Sequence, residues 1–390
     1  MLLHNHTPFP AIAWPSLDQQ GREQTSLMVR VTCALQAPDE QGVWSLRPVP
    51  EQGELYGEDV FYDDQDDPQT TSVAAESDYC PGKPHTDIIL NAVAWAPGIQ
   101  PVASWTCGLQ MLRLYRDRHR HLRTVTLIDK TLQVYGPRHW QLNRTLGYRH
   151  WQLTEPEPIR RLPIRYEYAY GGCIPNPDPA PDTDPYLACH AGNPAGCGLV
   201  HPVQLDQTPQ QIPAPQIVLA EDAGQLRQTI TRRRLPVPLR VAGLGIIHRA
   251  WQPRRDKAGT MDADWLASKA PLLPDDFDAA HQNAAPEDQQ IPGYAKPGDL
   301  ILLHQLYRKR IALRIPEIAF IAGWRAQPTQ AYQPALPDLD TVLLDLQAED
   351  PADWSVSLSW RKQLPAATEA CLDLRVGAAL QASPTGVADA

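Results

Sequence analysis

The sequence predicts a mainly β protein: an antiparallel β-sandwich or a multi-sheet β scaffold with a few short helices and long proline-rich loops. Apolar and polar residues alternate with a period of two along much of the chain, which is typical of strands with one buried face. The 390 residues include 40 prolines, and a proline inside a helix removes a hydrogen-bond donor. There are 11 Trp and 13 Tyr but only 4 Phe, and Trp and Tyr favour strands. Long helices are therefore excluded.

The strand pattern is clearest in a few stretches. In chain order these are 27–35, 88–112, 162–170, 311–315 and 354–360. The stretch 88–112 carries no charge and is long enough to suggest a membrane span. It contains the Pro97-Gly98 pair, which favours two strands joined by a turn. We therefore expect no membrane association.

Helices are predicted in two short stretches. These are Glu221 to Arg234, and Asp262 to Lys269 with Asp262 as the N-cap. One internal repeat is present: the sequence Arg-His-Trp-Gln-Leu occurs at 138–142 and again at 149–153. An offset this short does not fit a solenoid unit, so we interpret the repeat as a local duplication that extends a hairpin.

Proline-rich stretches divide the chain into four segments. Residues 1–173 form an N-terminal β unit, and residues 174–215 form a proline-rich loop or linker. Residues 216–325 form a second mixed β unit, and residues 326–390 form a C-terminal extension of strands.

Charge and cysteine content narrow the class of protein. The net charge is −10, which argues against a partner that is a nucleic acid or an anionic membrane. The N-terminus shows neither the basic nor the apolar region of a signal peptide, so we expect a cytoplasmic protein. The 7 cysteines are scattered, and in a cytoplasm we expect them to be reduced thiols.

A zinc site is one candidate chemistry. Cys189, His190, Cys197 and His201 lie close in sequence, and Cys173 is nearby. Zinc sites normally contain cysteine pairs separated by two to four residues, and no such pair occurs in this stretch. We therefore favour packing or loop roles for these residues, and we predict no metal and no cofactor.

A carboxylate-dependent hydrolase that acts on sugar or peptidoglycan is the alternative function. Its acid and base would come from the stretch 275–288, which contains Asp275, Asp276, Asp278, Glu287 and Asp288. Acidic residues in loops also serve as caps and turn formers. The sequence contains no nucleophile elbow, no phosphate-binding loop and no dinucleotide fingerprint. This pattern favours a binding protein without catalysis.

Six ordered motifs resemble one bacterial family. They lie at 76–102, 162–172, 193–198, 251–260, 274–278 and 283–289. The first contains Ser77-Asp78, Lys83-Pro84 and Thr86-Asp87 before a strand, followed by the turn Ala96-Pro97-Gly98. These features are similar to the domain of unknown function DUF 2169, and the resemblance spans roughly residues 20–305.

The resemblance implies an adaptor or chaperone of type VI secretion. Such a protein would bind a secreted toxin effector and help to load it onto the spike or its Pro-Ala-Ala-Arg-repeat tip. The loop that begins at Phe277 and two tryptophans are the candidate contacts, although tryptophans also pack in cores. The candidate residues are Phe277, Asp278, Asn283, Pro286, Glu287, Asp288, Gln289, Trp251 and Trp95. The aromatic run that the family carries before Asn283 is replaced here by Ala279-Ala-His-Gln.

Overall fold

Strands dominate the structure. A computed structural model describes residues 1–63, 67, 68, 70–145, 148–179 and 183–376. Strands account for 45% and helices for 9% of the residues, which confirms the prediction of a mainly β, multi-sheet scaffold. Within these ranges, none of the helices has the length and apolar character needed to cross a membrane.

The N-terminal part of the chain contributes long strands. They are β1 (Leu2–Asn5), β2 (Ala11–Leu17), β3 (Glu23–Gln36), β4 (Val43–Pro48), β5 (Val60–Phe61), β6 (Val73–Ala75), β7 (His85–Trp95), β8 (Ser104–Arg116), β9 (Leu122–Tyr135), β10 (His139–Thr145) and β11 (Tyr148–Leu153). The uncharged stretch 88–112 forms parts of two strands, β7 and β8, as predicted. Gly98 lies in the turn between them and has a φ of 78°.

Shorter strands and turns fill the middle of the chain. The strands are β12 (Arg161–Pro163), β13 (Tyr170–Gly171), β14 (Cys173–Pro175), β15 (Tyr186–Cys189), β16 (Cys197–Gly198), β17 (Gln211–Pro213), β18 (Ile217–Leu219) and β19 (Thr229–Ile230). The C-terminal part adds β20 (Gln290–Pro292), β21 (Leu300–His304), β22 (Ile311–Arg314), β23 (Ile318–Arg325), β24 (Gln333–Ala335), β25 (Asp338–Leu346), β26 (Ser355–Pro365) and β27 (Glu369–Val376).

Helices are short. The α-helices are α1 (Pro202–Asp206) and α2 (Ala263–Ser268). The 3-10 helices are Tyr166–Tyr168, Ala220–Gln225, Arg255–Ala258, Ala279–Gln282, Glu287–Gln289 and Pro351–Asp353. The prediction at 262–269 is confirmed, because the Asp262 carboxylate accepts a hydrogen bond from the Trp265 amide at 2.9 Å.

The predicted helix at 221–234 is wrong. The chain instead forms the 3-10 helix Ala220–Gln225 and then β19 (Thr229–Ile230). Ile230 pairs with Trp151 at the edge of another sheet and is buried there. Tertiary strand pairing therefore overrides the local helical preference at this position.

One large mixed sheet organises the molecule. Among the described residues it has thirteen strands, in the order β12-β7-β25-β26-β3-β4-β22-β21-β8-β9-β18, with β2 also paired to β3 and β20 to β7. Most neighbours are antiparallel, but β25 runs parallel to β7, and β22 runs parallel to β4. The main hydrophobic core packs against this sheet.

Three of the four segments predicted from proline content contribute strands to this sheet. Strand β25 of the segment 326–390 lies beside β7 of the N-terminal segment, and β26 lies beside β3. Strands β21 and β22 of the segment 216–325 continue the same sheet. Strands β25 and β26 therefore occupy the middle of the large sheet rather than its edge, whereas β24 and β27 belong to a separate four-stranded sheet with β1 and β23.

A second sheet contains the internal repeat. Its order is β17-β10-β11-β19. Trp140 pairs with Leu153 and Leu142 with Trp151, so the two copies of the repeat face each other in one hairpin, as predicted. Both tryptophans are buried in a separate hydrophobic cluster. The cluster also includes Ile212, so part of the predicted linker is an ordered strand.

The stretch 162–170 is not the continuous strand that its alternation predicts. It consists of β12, the 3-10 helix Tyr166–Tyr168 and β13. The turn buries the Tyr166 ring against Trp251, with ring centroids 5.5 Å apart. Gly171 follows with a positive φ, and a Cβ atom there would overlap with Asn193. The Asn193 amide in turn donates to the carbonyl oxygen of Tyr166 at 2.9 Å, so two of the family-like motifs pack on each other.

The expectation of reduced thiols is wrong for two cysteines. Cys173 and Cys189 form a disulfide. They lie directly opposite each other on the antiparallel strands β14 and β15, with Cα atoms 4.1 Å apart. Strand pairing brings these sulfurs together, which sequence spacing alone does not reveal.

Candidate protein-binding cleft

A cluster of buried charges lies beneath the family-like motifs. We define the buried ion cluster as Arg30, Glu76, Asp78, Lys83, Asp87, Arg254, Asp340 and Arg361. Their side chains are at most 12% exposed. The cluster contains four cations and four anions, so its formal charge is zero. Buried charges persist only when they are paired and hydrogen-bonded in this way.

One half of the cluster joins the central strands. Arg30 on β3 contacts Asp78 with an N–O distance of 2.5 Å. Arg361 on β26 contacts Asp340 on β25 at 2.6 Å and lies 3.7 Å from Asp78. The sequence predicts that only one face of β3 is buried. Met28 and Arg30 lie on the other face, and both are buried as well. The ion cluster therefore covers the second face of β3.

The other half of the cluster fixes the loops. The Lys83 ammonium lies 2.7 Å from the Asp87 carboxylate and 3.9 Å from Glu76. Glu76 in turn contacts Arg254 at 2.6 Å. Burial alone would raise the pKa of the Glu76 carboxyl, but the charges of Arg254 and Lys83 outweigh burial and hold that pKa below its usual value.

The partners of Lys83 keep it charged. Burial alone would lower the pKa of Lys83, but the charges of Asp87 and Glu76 outweigh burial and raise that pKa above its usual value. For Asp340 burial prevails instead. It raises the pKa of the carboxyl, because the charges of Arg361 and Lys83 offset burial only in part. Each of the four acids contacts a cation of the cluster at 2.5 to 2.7 Å.

Asp87 holds the predicted contact loop. Its carboxylate accepts hydrogen bonds from the Asn283 side chain at 2.8 Å and from the Ala284 amide at 2.7 Å. The Gln289 side chain donates to the carbonyl oxygens of Ile88 at 2.7 Å and Leu244 at 3.0 Å. The loop 283–289 is therefore bonded along β7. Asp87 thus joins Lys83, four residues earlier in the chain, to two donors that are almost two hundred residues away.

A cleft of about 470 Å³ opens beside this loop. Its floor contains three members of the ion cluster, Lys83, Asp340 and Arg361. Among the described residues the Oδ2 atom of Asp340 has no hydrogen-bond partner. The walls come from the β2–β3 turn, the end of β26 and the loop 273–282.

Phe277 lies on the wall of this cleft. Its side chain is half-buried, and its ring centroid is 5.9 Å from that of His281. The Gln19 side chain crosses from the β2–β3 turn and donates to the carbonyl oxygens of Pro274, Asp275 and Phe277 at 3.2, 3.0 and 3.3 Å. These bonds hold the two walls at a fixed separation. Sequence reasoning selected Phe277 but missed Gln19, because a polar turn residue carries no distinguishing pattern.

The acidic residues of the predicted loop are already engaged. Glu287 and Asp288 are exposed, and they form ion pairs with Lys257 at 2.7 Å and Lys130 at 2.8 Å. Asp278 accepts a hydrogen bond from the Ala280 amide at 2.8 Å and so caps a 3-10 helix. Pro286 is half-buried before the next 3-10 helix.

The remaining acids of the hydrolase alternative have similar roles. The Asp276 carboxylate accepts hydrogen bonds from the Thr260 amide at 2.9 Å and hydroxyl at 2.7 Å. Asp275 is exposed and forms an ion pair with Lys269. Asp276 thus holds a turn, and Asp275 belongs to a surface ion pair.

Four of the candidate contact residues are buried. Trp251 is 1% exposed, and Asn283 and Gln289 are 0% exposed. Trp251 donates from its indole to the carbonyl oxygen of Pro68 at 2.9 Å. These side chains stabilise the scaffold, and a partner cannot reach them in this conformation. Trp95 is also buried and lies away from the cleft, against Tyr307.

The residues weighed as zinc ligands form no metal site among the described residues. Cys173 and Cys189 form a disulfide, so neither sulfur is available as a zinc ligand. Within the described ranges, no three His, Cys, Asp or Glu side chains are grouped closely enough to hold a metal ion. Burial raises the pKa of the Cys197 thiol to about 12, which disfavours the thiolate that zinc requires.

Comparison with known proteins gives one match. A family model with the description "Uncharacterized protein conserved in bacteria (DUF2169)" matches residues 20–361. The motifs resemble the family over roughly residues 20–305, and the match extends further, through β25 and most of β26. These two strands carry Asp340 and Arg361 of the ion cluster. No curated protein and no solved structure matches the chain.

Proposed function

We propose that this chain, which belongs to the DUF2169 family of uncharacterized proteins conserved in bacteria, binds a type VI secretion effector in the cleft and helps to load it onto the spike or its tip. The protein acts as an adaptor or chaperone in the cytoplasm, and it performs no catalysis. The secretion role rests on the six motifs that resemble adaptor proteins of that system.

One observation supports binding at this site in particular. The cleft places the half-buried aromatic Phe277 beside a rigid floor of paired charges. Aromatic side chains in partly buried pockets are typical anchors of protein interfaces. A volume of about 470 Å³ is enough to receive a few side chains of a partner. The ion cluster holds the surrounding loops in place, so binding need not order them first.

Capture of the partner tests the proposal. The purified chain is mixed with a candidate toxin from the same secretion system, with the spike protein and with the tip protein. We expect the toxin to bind, and we expect Phe277→Ala to weaken that binding by about tenfold or more, as for a hot-spot residue. Tyr148→Ala is the matched control, because Tyr148 is an aromatic side chain that is 78% exposed on the β10–β11 hairpin.

Two results would contradict the proposal. Absence of binding to the toxin, the spike and the tip would remove the adaptor function. Equal affinities of the wild type and Phe277→Ala, with binding intact, would remove the cleft as the binding site.

A further inference from the structure

A second surface lies outside the cleft, at the turn between β21 and β22. Two cavities of about 450 Å³ each meet there, and Arg308 lines both of them. One cavity lies over the neighbouring strands β8, β9 and β21. The other lies beside the turn that follows β7 and is lined by Trp95, Ile99 and Arg160. The two cavities share no residue with the cleft described above.

This surface is basic on a protein whose net charge is −10. We define the basic strip as Arg160, Arg308, Lys309 and Arg310, together with Trp95 and Ile99. Within the part of the chain that the structure describes, the strip's four cations form no ion pair. Asp129 is the acidic residue that lines the first cavity, and the second cavity is lined by none. Lys130 also lines the first cavity, but Asp288 balances its charge at 2.8 Å.

The strip also has an apolar and aromatic part. The Ile99 side chain is 78% exposed. The Arg308 guanidinium lies over the Trp95 ring, 4.9 Å from its centroid, and the Trp95 ring makes an edge contact with Tyr307 at 6.3 Å. The Trp95 amide donates to the carbonyl oxygen of Gln305 at 2.8 Å. The turn that carries the cations is therefore fixed to the strand that carries the tryptophan.

We propose that the basic strip binds an acidic, extended segment of a protein partner, with an apolar side chain of that segment against Ile99. Charge complementarity supports this occupant, because unpaired cations across two joined cavities match a row of carboxylates. Arg is a residue type that anchors protein interfaces, and Arg160 and Arg308 are both exposed, whereas the buried Trp95 supports Arg308 from below. A long nucleic acid or an anionic membrane would extend beyond the strip over a protein with a net charge of −10, whereas a short acidic segment contacts the strip's cations alone. The inference does not depend on what occupies the cleft.

Direct binding of a probe peptide tests this proposal. The probe is a fluorescein-labelled peptide with Asp and Glu residues around one Leu, and its control replaces the acids with Asn and Gln. We expect saturable binding of the acidic probe alone, with an affinity that falls as salt is added. The variant R308E/K309E/R310E should weaken binding by about tenfold or more, because three favourable charge contacts become repulsive.

A second charge reversal serves as the matched control. The variant R232E/R233E/R234E changes the net charge by the same amount at another exposed basic triplet. It should leave the affinity for the acidic probe within about twofold, since its charges lie outside the strip. Ile99→Ser should weaken binding of the Leu-containing probe but not of a version with Ser in place of Leu.

Several outcomes would overturn the proposal. These are absence of saturable binding, equal loss in both charge-reversal variants, or an unchanged affinity in R308E/K309E/R310E. Tighter binding of a single-stranded oligonucleotide with the same dependence on Arg308, Lys309 and Arg310 would assign the strip to nucleic acid instead. None of these results depends on the toxin, so failure here is distinguishable from failure of the proposed function.

Discussion

Replacing Asp87 with Ala is expected to lower the free energy of unfolding by about 3–5 kcal/mol, the usual cost of removing one partner from a buried ion pair. Asp87 is 0% exposed. Its loss leaves the Lys83 ammonium with Glu76 at 3.9 Å as its nearest acid. It also removes the acceptor for the Asn283 side chain and for the Ala284 amide, and both donors are buried.

Urea unfolding of the wild type and Asp87→Ala measures this difference. Asp373→Ala is the control, because Asp373 is an exposed acid on a strand, and its removal should change the free energy by less than about 0.5 kcal/mol. An Asp87→Ala variant within 1 kcal/mol of the wild type would show that the buried ion cluster does not stabilise the fold.

Replacing Trp251 with Ala is expected to cost about 3–5 kcal/mol, as for other buried aromatic residues reduced to Ala. The Trp251 side chain is 1% exposed. Its ring meets Tyr166 edge-on at 5.5 Å, and its indole donates to the carbonyl oxygen of Pro68 at 2.9 Å. The variant therefore leaves both a cavity and a backbone acceptor without its donor.

Trp251→Phe separates these two contributions. It keeps most of the ring contact with Tyr166 but loses the indole donor, so we expect a smaller loss of about 1–2 kcal/mol. Thermal or urea unfolding of the two variants gives the comparison. A Trp251→Ala variant with unchanged stability would contradict the structural role of Trp251. A role in contacting the partner would then be open again.

Local patterns in the sequence predict much of the secondary structure. The Asp262 cap is recognisable because an N-cap needs only a short polar side chain before a helical turn. The hairpin of the internal repeat is predictable because its two copies are close in sequence. Strand order is different: β25 and β26 lie between β7 and β3 through pairings of residues that are far apart in the chain. No periodicity within a strand specifies such a neighbour.

The buried ion cluster shows a second limit of sequence reasoning. A charged residue in an alternating strand is normally assigned to the solvent face. Arg30 and Arg361 break this rule, since both are buried on central strands with Asp78 and Asp340 as partners. Asp78 lies far from Arg30 in the chain, and the Asp340–Arg361 pair depends on the register of β25 against β26, so neither member of a pair reveals the other.

Part of the candidate site follows from the motifs. The sequence selects Phe277, which lies on the cleft wall. The same reasoning also selects Asn283 and Gln289, which are buried and hold the loop. A motif identifies positions at which shape matters, and it does not distinguish a side chain that touches a partner from one that supports the surface.

Hydrogen exchange of the chain, free and bound to its toxin, tests the central claim most directly. The claim is that the buried ion cluster supports a preformed cleft and that the partner binds at its walls. We predict that binding protects amides in 17–24 and 273–282, which line the cleft. The backbone amides of Asn283, Ala284 and Gln289 donate to Ala280, Asp87 and Pro286, so they should already exchange slowly in the free protein. Protection confined to regions outside the cleft walls, or rapid exchange of these three amides in the free protein, would contradict the account.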